Sequence, residues 1–327
     1  SGSPANQAIY FALAKPGDVI MGLSLSHGGH LTHGHLVNFS GLLYQSLPYT
    51  LNLKTGRIDY DNLEKLAKEH SPKIIFSGAT AYPRVIDFKR IGAIAKKVGA
   101  YHAADISHIA GLVAAGAHPS PFSHADVVMA TTHKTLRGPR GAVIWSKNRV
   151  LGKDSKGRDV VIGDAINKAV FPGLQGGPHN NVTAAIAWTF GQVATLKFKA
   201  YGRQIVKNAK TLAAELNKLG FDLVSGGTDN HLMLLDLRKQ GIPGMDAERM
   251  LEASGIIANR NSIPGDEKPF KPSGVRMGTP AVTSRGMKEK EMKQIARFIY
   301  QCLAEKKSVL KEVQMLCKKF PLPYKYR

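Results

Sequence analysis

Short apolar runs alternate with amphipathic segments through the first half of the chain, and nothing else in the sequence restricts its fold so tightly. "DVIMGLS", "KIIFSG", "AYHAADI", "ADVVMATT" and "GAVIWSK" read as strands, while "YDNLEKLAKEH" and "FKRIGAIAKKVG" read as helices. This alternation indicates an α/β fold, a mostly parallel sheet with helices over both faces. Ligands of such sheets sit outside the carboxyl ends of the strands. Upstream, "SGSPANQAIYFALAKPGD" predicts a further helix, with Ser3 as cap and Pro4 at the first helical position.

The style changes near residue 194. After "AAIAWTFGQVATLKFKAYGRQIVKNAKTLAAELNKLG", a long helical region, "FDLVSG" and "HLMLLDL" read as strands and "GMDAERMLEASG" as a helix. Two amphipathic helices close the chain, the first marked by Met292, Ile295, Ile299 and Leu303. The expectation is a large domain over residues 1–193 and a smaller α+β domain over 194–327, with no internal repeat.

A chain of 327 residues can bury a large core without staples. No window carries 18 apolar residues in a row, so no membrane span is expected, and no signal peptide is visible. Cys302 and Cys317 fall on one helical stretch, which favours buried thiols, a reducing compartment and a cytoplasmic location. Lys+Arg 45 against Asp+Glu 24 gives a net charge of +21, a field that attracts polyanions. The basic residues are scattered along helices and accompany no nucleic-acid-binding module. They are read here as a solvated surface.

Four features fall at strand ends or in loops. In "MATTHKTLRGPRGA", Lys134 follows a buried-looking strand. A lysine there loses hydration, its pKa falls, and its amine can attack a carbonyl to form a Schiff base, although most strand-end lysines merely snorkel to the surface. Asp105 ends the neighbouring strand "YHAADI", where it is either a helix cap or a carboxylate placed against a ring nitrogen. A Schiff-base lysine with such a carboxylate is the pair that pyridoxal phosphate requires. "HGGHLTHG" holds three histidines and three glycines without a nearby carboxylate or thiol. An imidazole lying flat on an aromatic ring is therefore favoured over a metal site, and no metal is expected. Arg276, in "SGVRMGTPA", offers a guanidinium fork suited to an amino-acid carboxylate. "SGS" at 1–3 and "GLQGGP" at 173–178 are candidate phosphate loops.

These stretches, together with "DYDNLEK", "TTHKTLRGPRG", "FPGLQGGP", "VSGGTDNHL", "NRNSIPGDEKPF" and the closing "FPLP", resemble serine hydroxymethyltransferase over essentially the whole chain. That family is a fold-type-I group of pyridoxal-phosphate enzymes with a seven-stranded type of sheet. The resemblance implies that Lys134 carries the cofactor as a Schiff base, Asp105 pairs with the ring nitrogen, and His30 stacks on the ring. It places Thr80 and His108 near the phenolic oxygen. Ser1, Gly2, Ser3 and His133 fall at the phosphate, and Gly177 arrives from a neighbouring subunit of a homodimer or dimer of dimers. Arg276 is placed on the substrate carboxylate. Thr131 and Arg140 fall on the lysine loop, Arg140 being counted also with the substrate side. Leu25, Gly29, Leu31, Asn261, Pro269 and Phe270 are placed around folate.

The implied reaction is transfer of the serine hydroxymethyl carbon to tetrahydrofolate, giving glycine and 5,10-methylenetetrahydrofolate, with serine, glycine and polyglutamylated folate as partners. Other β-hydroxy amino acids should be cleaved slowly without folate. The resemblance also implies a segment before "SGS" with a catalytic glutamate, tyrosines and a serine, which these 327 residues lack: the chain is either part of a longer polypeptide or one that binds the cofactor with weak folate-dependent turnover. Thr80 stands where serine is usual. Ser107 replaces a small apolar residue and is expected to matter little. Two further readings stay open: a related aldolase or aminotransferase of the same fold, and a cofactor-binding chain with little folate-dependent activity whose basic surface binds RNA or another polyanion.

Overall fold

The computed structural model describes residues 1–266 and 271–323. Two predicted folate contacts, Pro269 and Phe270, therefore lie outside the described residues.

The alternation seen in the sequence folds as a layered α/β body. Its elements are α1 (Gly2–Leu13), β1 (Val19–Met21), β2 (Gln45–Ser46), α2 (Tyr60–His70), β3 (Ile74–Ser77), α3 (Phe88–Lys97), β4 (Tyr101–Asp105), β5 (Val127–Thr131) and β6 (Ala142–Ser146). The central sheet runs β2-β1-β3-β4-β5-β6. Its first five strands are mutually parallel, and β6 pairs antiparallel to β5. Six strands are present among the described residues, one fewer than the seven-stranded type. Strands β3, β4 and β5 are buried almost throughout, as a sheet covered on both faces requires.

Local chemistry sets the helix starts. Asp59 accepts the Asn62 backbone N–H at 3.0 Å and opens α2. Asp87 does the same for Arg90 at 2.9 Å and opens α3. The α1 expectation is corrected. The helix begins at Gly2 with Ser1 as N-cap, so Ser3 and Pro4 lie inside its first turn, where the proline's missing N–H costs nothing.

The long helical region is two helices, α4 (Asn180–Val193) and α5 (Leu196–Lys218), separated where the Thr195 hydroxyl caps α5 by accepting the Phe198 N–H at 3.2 Å. The second part holds β7 (Asp222–Leu223), β8 (Leu232–Asp236), α6 (Gly244–Ala253), β9 (Asn259–Asn261), β10 (Gly274–Gly278), α7 (Glu289–Leu303) and α8 (Leu310–Lys319). Its sheet is antiparallel, in the order β7-β8-β10-β9. Met292, Ala296, Ile299 and Leu303 line the buried stripe of α7, which packs on α5. Helix α5 enters both cores: Phe198 and Ile205 belong to the first, Ala209, Leu212 and Leu216 to the second. Cys302 and Cys317 are free thiols.

Candidate active site

Parallel pairing sets β4 and β5 side by side with their carboxyl ends at one edge, Asp105 opposite Met129. Asp105 is the last residue of β4, and Lys134 follows Thr131 at the end of β5. Gly2, His30, Thr80, Asp105, His108, Thr131 and Lys134 line one pocket with His33, Ala79 and Ser107. Seven residues picked from the sequence thus converge on one place.

The loop carrying Lys134 is tied down at its base. The Thr132 N–H donates to the Gly141 carbonyl at 3.1 Å, and the Gly138 N–H donates to the Thr132 carbonyl at 2.7 Å. The Thr132 hydroxyl donates to the Pro139 carbonyl at 2.7 Å, and the Thr135 hydroxyl to the His108 carbonyl at 3.1 Å. Lys134 Nζ lies 3.4 Å from Thr131 Oγ1. Burial lowers its pKa; nearby Asp105 opposes that, and Arg140 and Arg276 reinforce it. Its amine is therefore easier to deprotonate than a surface lysine's.

Asp105 is buried and hydrogen-bonded on both oxygens. Oδ2 accepts from Asn6 Nδ2 at 2.9 Å and from His33 Nε2 at 3.2 Å, and Oδ1 accepts the Ser107 N–H at 3.0 Å. Burial alone would raise its pKa. The His33, Ser107 and Asn6 contacts outweigh it and hold the carboxyl well below the usual carboxylate range. Ser107 matters more than expected: its hydroxyl accepts the Thr131 N–H at 3.1 Å and so joins the ends of β4 and β5.

His30 Nδ1 accepts from the Thr32 N–H at 3.2 Å and from Thr32 Oγ1 at 2.7 Å. Asn6 Nδ2 in turn donates to Thr32 Oγ1 at 2.8 Å. Both hydrogens of the Asn6 amide are thereby used, one on Asp105 and one on the Thr32 hydroxyl that holds His30. Burial, with the neighbouring His33 ring, pushes the His30 pKa down to about 4, so its ring is neutral at pH 7 with the proton on Nε2. Asn6, Thr32 and His33 were not singled out from the sequence. Asn6 had a visible signal, a polar residue on the apolar stripe of α1 with Ile9 and Leu13.

Gly2 is held where a side chain would not fit: a Cβ there would meet Thr131 Cγ2 at 2.8 Å. Beside it, Arg140 Nη1 lies 3.4 Å from Ser1 Oγ. Burial, then Lys134 and Arg140, lower the His133 pKa. Arg140 thus brings a positive charge to the amino end of α1, where backbone N–H groups already favour an anion.

From the second sheet, Arg276 on β10 reaches over and donates from Nη1 to the Thr80 carbonyl at 3.0 Å. The buried His231 ring stacks on His108 with centroids 5.9 Å apart. Burial, then His231, Lys134 and Arg276, hold His108 well below the ordinary histidine range.

Other predicted residues lie apart from the pocket lining. Ser3 and Gly177 are exposed. Leu25 and Leu31 sit on two 3-10 turns, Gly29 is buried between them, and Asn261 is on β9 with its amide donating to the Ser262 carbonyl at 2.6 Å.

The donor set fits pyridoxal phosphate. Thr80 Oγ1, in the pocket lining, is buried without a partner among the described residues and is free for a ligand atom. Asp105 offers an ionised carboxylate, Lys134 an amine of lowered pKa, and the α1 terminus an anion seat. The space left among these side chains is ≈ 20 Å³, so a molecule as large as pyridoxal phosphate needs lining side chains to turn outward. No group of three or more His, Cys, Asp or Glu suited to a metal ion occurs among the described residues. Residues 1–299 match the sequence model of the serine hydroxymethyltransferase family.

Proposed function

The chain belongs to the serine hydroxymethyltransferase family of pyridoxal-phosphate-dependent enzymes, and from that premise we propose that it interconverts serine plus tetrahydrofolate with glycine plus 5,10-methylenetetrahydrofolate. One observation carries this reading: a buried, ionised Asp105 and a half-buried Lys134 share a pocket at the ends of adjacent parallel strands.

When bound, pyridoxal phosphate supplies an electron sink for the substrate α-carbon. The chain's residues divide the remaining work. Lys134 would be the amine that holds the cofactor and gives way to the substrate amine. Asp105, kept charged by Asn6, His33 and Ser107, would be the carboxylate for the ring nitrogen and would favour its protonated form. Neutral His30 offers a flat ring without a competing positive charge. Thr80 and His108 serve the phenolic side, and Ser1, Gly2 and His133 the phosphate, with exposed Ser3 at its edge and Arg140 on the lysine loop beside Ser1. Arg276 exchanges the Thr80 carbonyl for the substrate carboxylate, a charge-assisted and better-matched acceptor. Leu25, Gly29, Leu31 and Asn261 are assigned to the folate side.

The same reading assigns the cofactor part to residues 1–193 and the smaller part to 194–327. It makes the enzyme a cytoplasmic homodimer or dimer of dimers, with exposed Gly177 entering the neighbour's site. Sedimentation at micromolar concentration tests the assembly.

The decisive experiment is an absorbance spectrum with added cofactor. The parent chain should gain a band near the visible edge that shifts on adding glycine and again on adding tetrahydrofolate. Lys134→Ala should show only free cofactor. An unchanged band in that variant overturns the role of Lys134, and a parent blind to tetrahydrofolate overturns the folate-dependent reaction.

A further inference from the structure

We propose that this protein has a second ligand site, a cleft at the amino ends of the central strands that takes a small anion carrying linked phosphates. Along α3, Lys89, Gly92, Ala93 and Lys96 follow the i, i+3, i+4, i+7 rule and share one face. The two lysines bracket two residues with almost no side chain, so the stripe is hollow in its middle. The opposite wall is the segment leading into β5, with Ser123, His124 and Asp126, and the residues after β6, Lys147 and Arg149. Gly92 lets the walls meet, because a Cβ there would lie 2.3 Å from the His124 carbonyl oxygen. The cleft is open on one side, with a volume of ≈ 590 Å³, a small-molecule size.

The charge in this cleft is one-sided. Lys89, Lys96, Lys147 and Arg149 face a single carboxylate, Asp126. Its oxygens are already engaged: Oδ2 accepts the His102 N–H at 2.9 Å, and Oδ1 lies 3.4 Å from Arg149 Nη1. The adjoining stripe of α3 is built differently, with Arg90 paired to Asp61 and Lys97 to Glu64. Among the described residues, no carboxylate lies within ion-pair distance of Lys89, Lys96 or Lys147. The unbalanced cations on this helix are thus the ones that face the cleft.

Four cations spread over two walls outnumber what one carboxylate or one phosphate can neutralise. Two or more linked phosphates match them, and the concave wall concentrates their field. Asp105 and Lys134 stand at the opposite, carboxyl ends of the same strands. A ligand in the cleft is therefore separate from the cofactor pocket.

Calorimetry of the holoenzyme with inorganic triphosphate tests the proposal. Saturable one-to-one binding is expected, weakened by added salt. It should fall at least tenfold in the double variant Lys96→Gln/Lys147→Gln and severalfold in Lys89→Gln, with serine turnover unchanged in both. Equal affinity in parent and variants, or no saturation into the millimolar range, overturns it. So does a single-stranded RNA that binds through the same lysines when triphosphate does not, because the cleft then serves a polymer.

Discussion

Arg276 Nη1 donates to the Thr80 carbonyl at 3.0 Å, a contact between residues 196 apart in sequence that brings the second sheet to the edge of the Lys134 pocket. A guanidinium resting on one neutral carbonyl holds a carboxylate better when one arrives, through two parallel charge-assisted bonds. In Arg276→Lys the KM for serine should rise by roughly 100-fold while kcat changes much less. The spectrum of bound cofactor should persist, since Arg276 does not touch Asp105 or Lys134. Steady-state kinetics alongside absorbance check this.

Asn6 spends both amide hydrogens on the site, one on Asp105 Oδ2 and one on Thr32 Oγ1. Asn6→Ala removes a donor from a buried charge, which costs about 1–3 kcal/mol. Cofactor affinity should fall roughly tenfold or more, since a unit of log K is about 1.4 kcal/mol. Asn6→Asp should be worse, because it sets a second carboxylate against the first. Cofactor titration followed by absorbance measures both.

Three buried histidines make stability fall on acidification. Burial pushes His30 and His102 down to about 4 and His231 down to about 3. The unfolded rings take up protons near pH 6.5 while the folded ones do not, so the unfolded state gains as pH drops from 6.5 toward 4. Each ring contributes up to about 1.4 kcal/mol per pH unit in that window. His102 has two partners, Ser77 Oγ at 2.8 Å and the His124 carbonyl at 3.0 Å. His102→Gln should lower stability at pH 7 yet flatten the slope. Denaturant midpoints at pH 7, 6, 5 and 4 test this.

Arg84 fastens the first part to the loop before β8. Nε donates to Ser225 Oγ at 2.9 Å, Nη1 pairs with Asp229 Oδ1 at 2.9 Å, and Nη2 meets the Ser225 carbonyl. The Asp229 N–H returns a bond to the Pro83 carbonyl at 2.8 Å. Arg84→Met should destabilise by roughly 1–3 kcal/mol, short of the full loss for a wholly buried pair. It should also broaden or split thermal unfolding as the two cores uncouple, which calorimetry reads directly.

Local signals carried far in the sequence. The α2 and α3 boundaries were legible because Asp59 and Asp87 cap a clean apolar stripe. Lys134 and Asp105 were legible because a charge at the end of a buried run is conspicuous. The direction of β6 was not, since an apolar run reads the same whichever way its neighbours point. Nor was the start of α1, where Ser3-Pro4 imitates a cap although the helix already begins at Gly2. The Asn6 and His33 bonds to Asp105 join residues 99 and 72 positions apart, and no local pattern encodes such contacts. Ser107 was undervalued because its bond to Thr131 spans two strands.

Helix α5, at 23 residues, is about 35 Å long and seated in both cores. Near its start, Gly202 lies so close to Ala115 that a Cβ would approach that methyl within 2.3 Å, leaving the rod no slack to slide. A beam clamped in two foundations gives them one frame. The strand that carries Arg276 and the strand end that carries Lys134 are then set apart by the fold itself, and the two side chains have only to turn when an amino acid arrives.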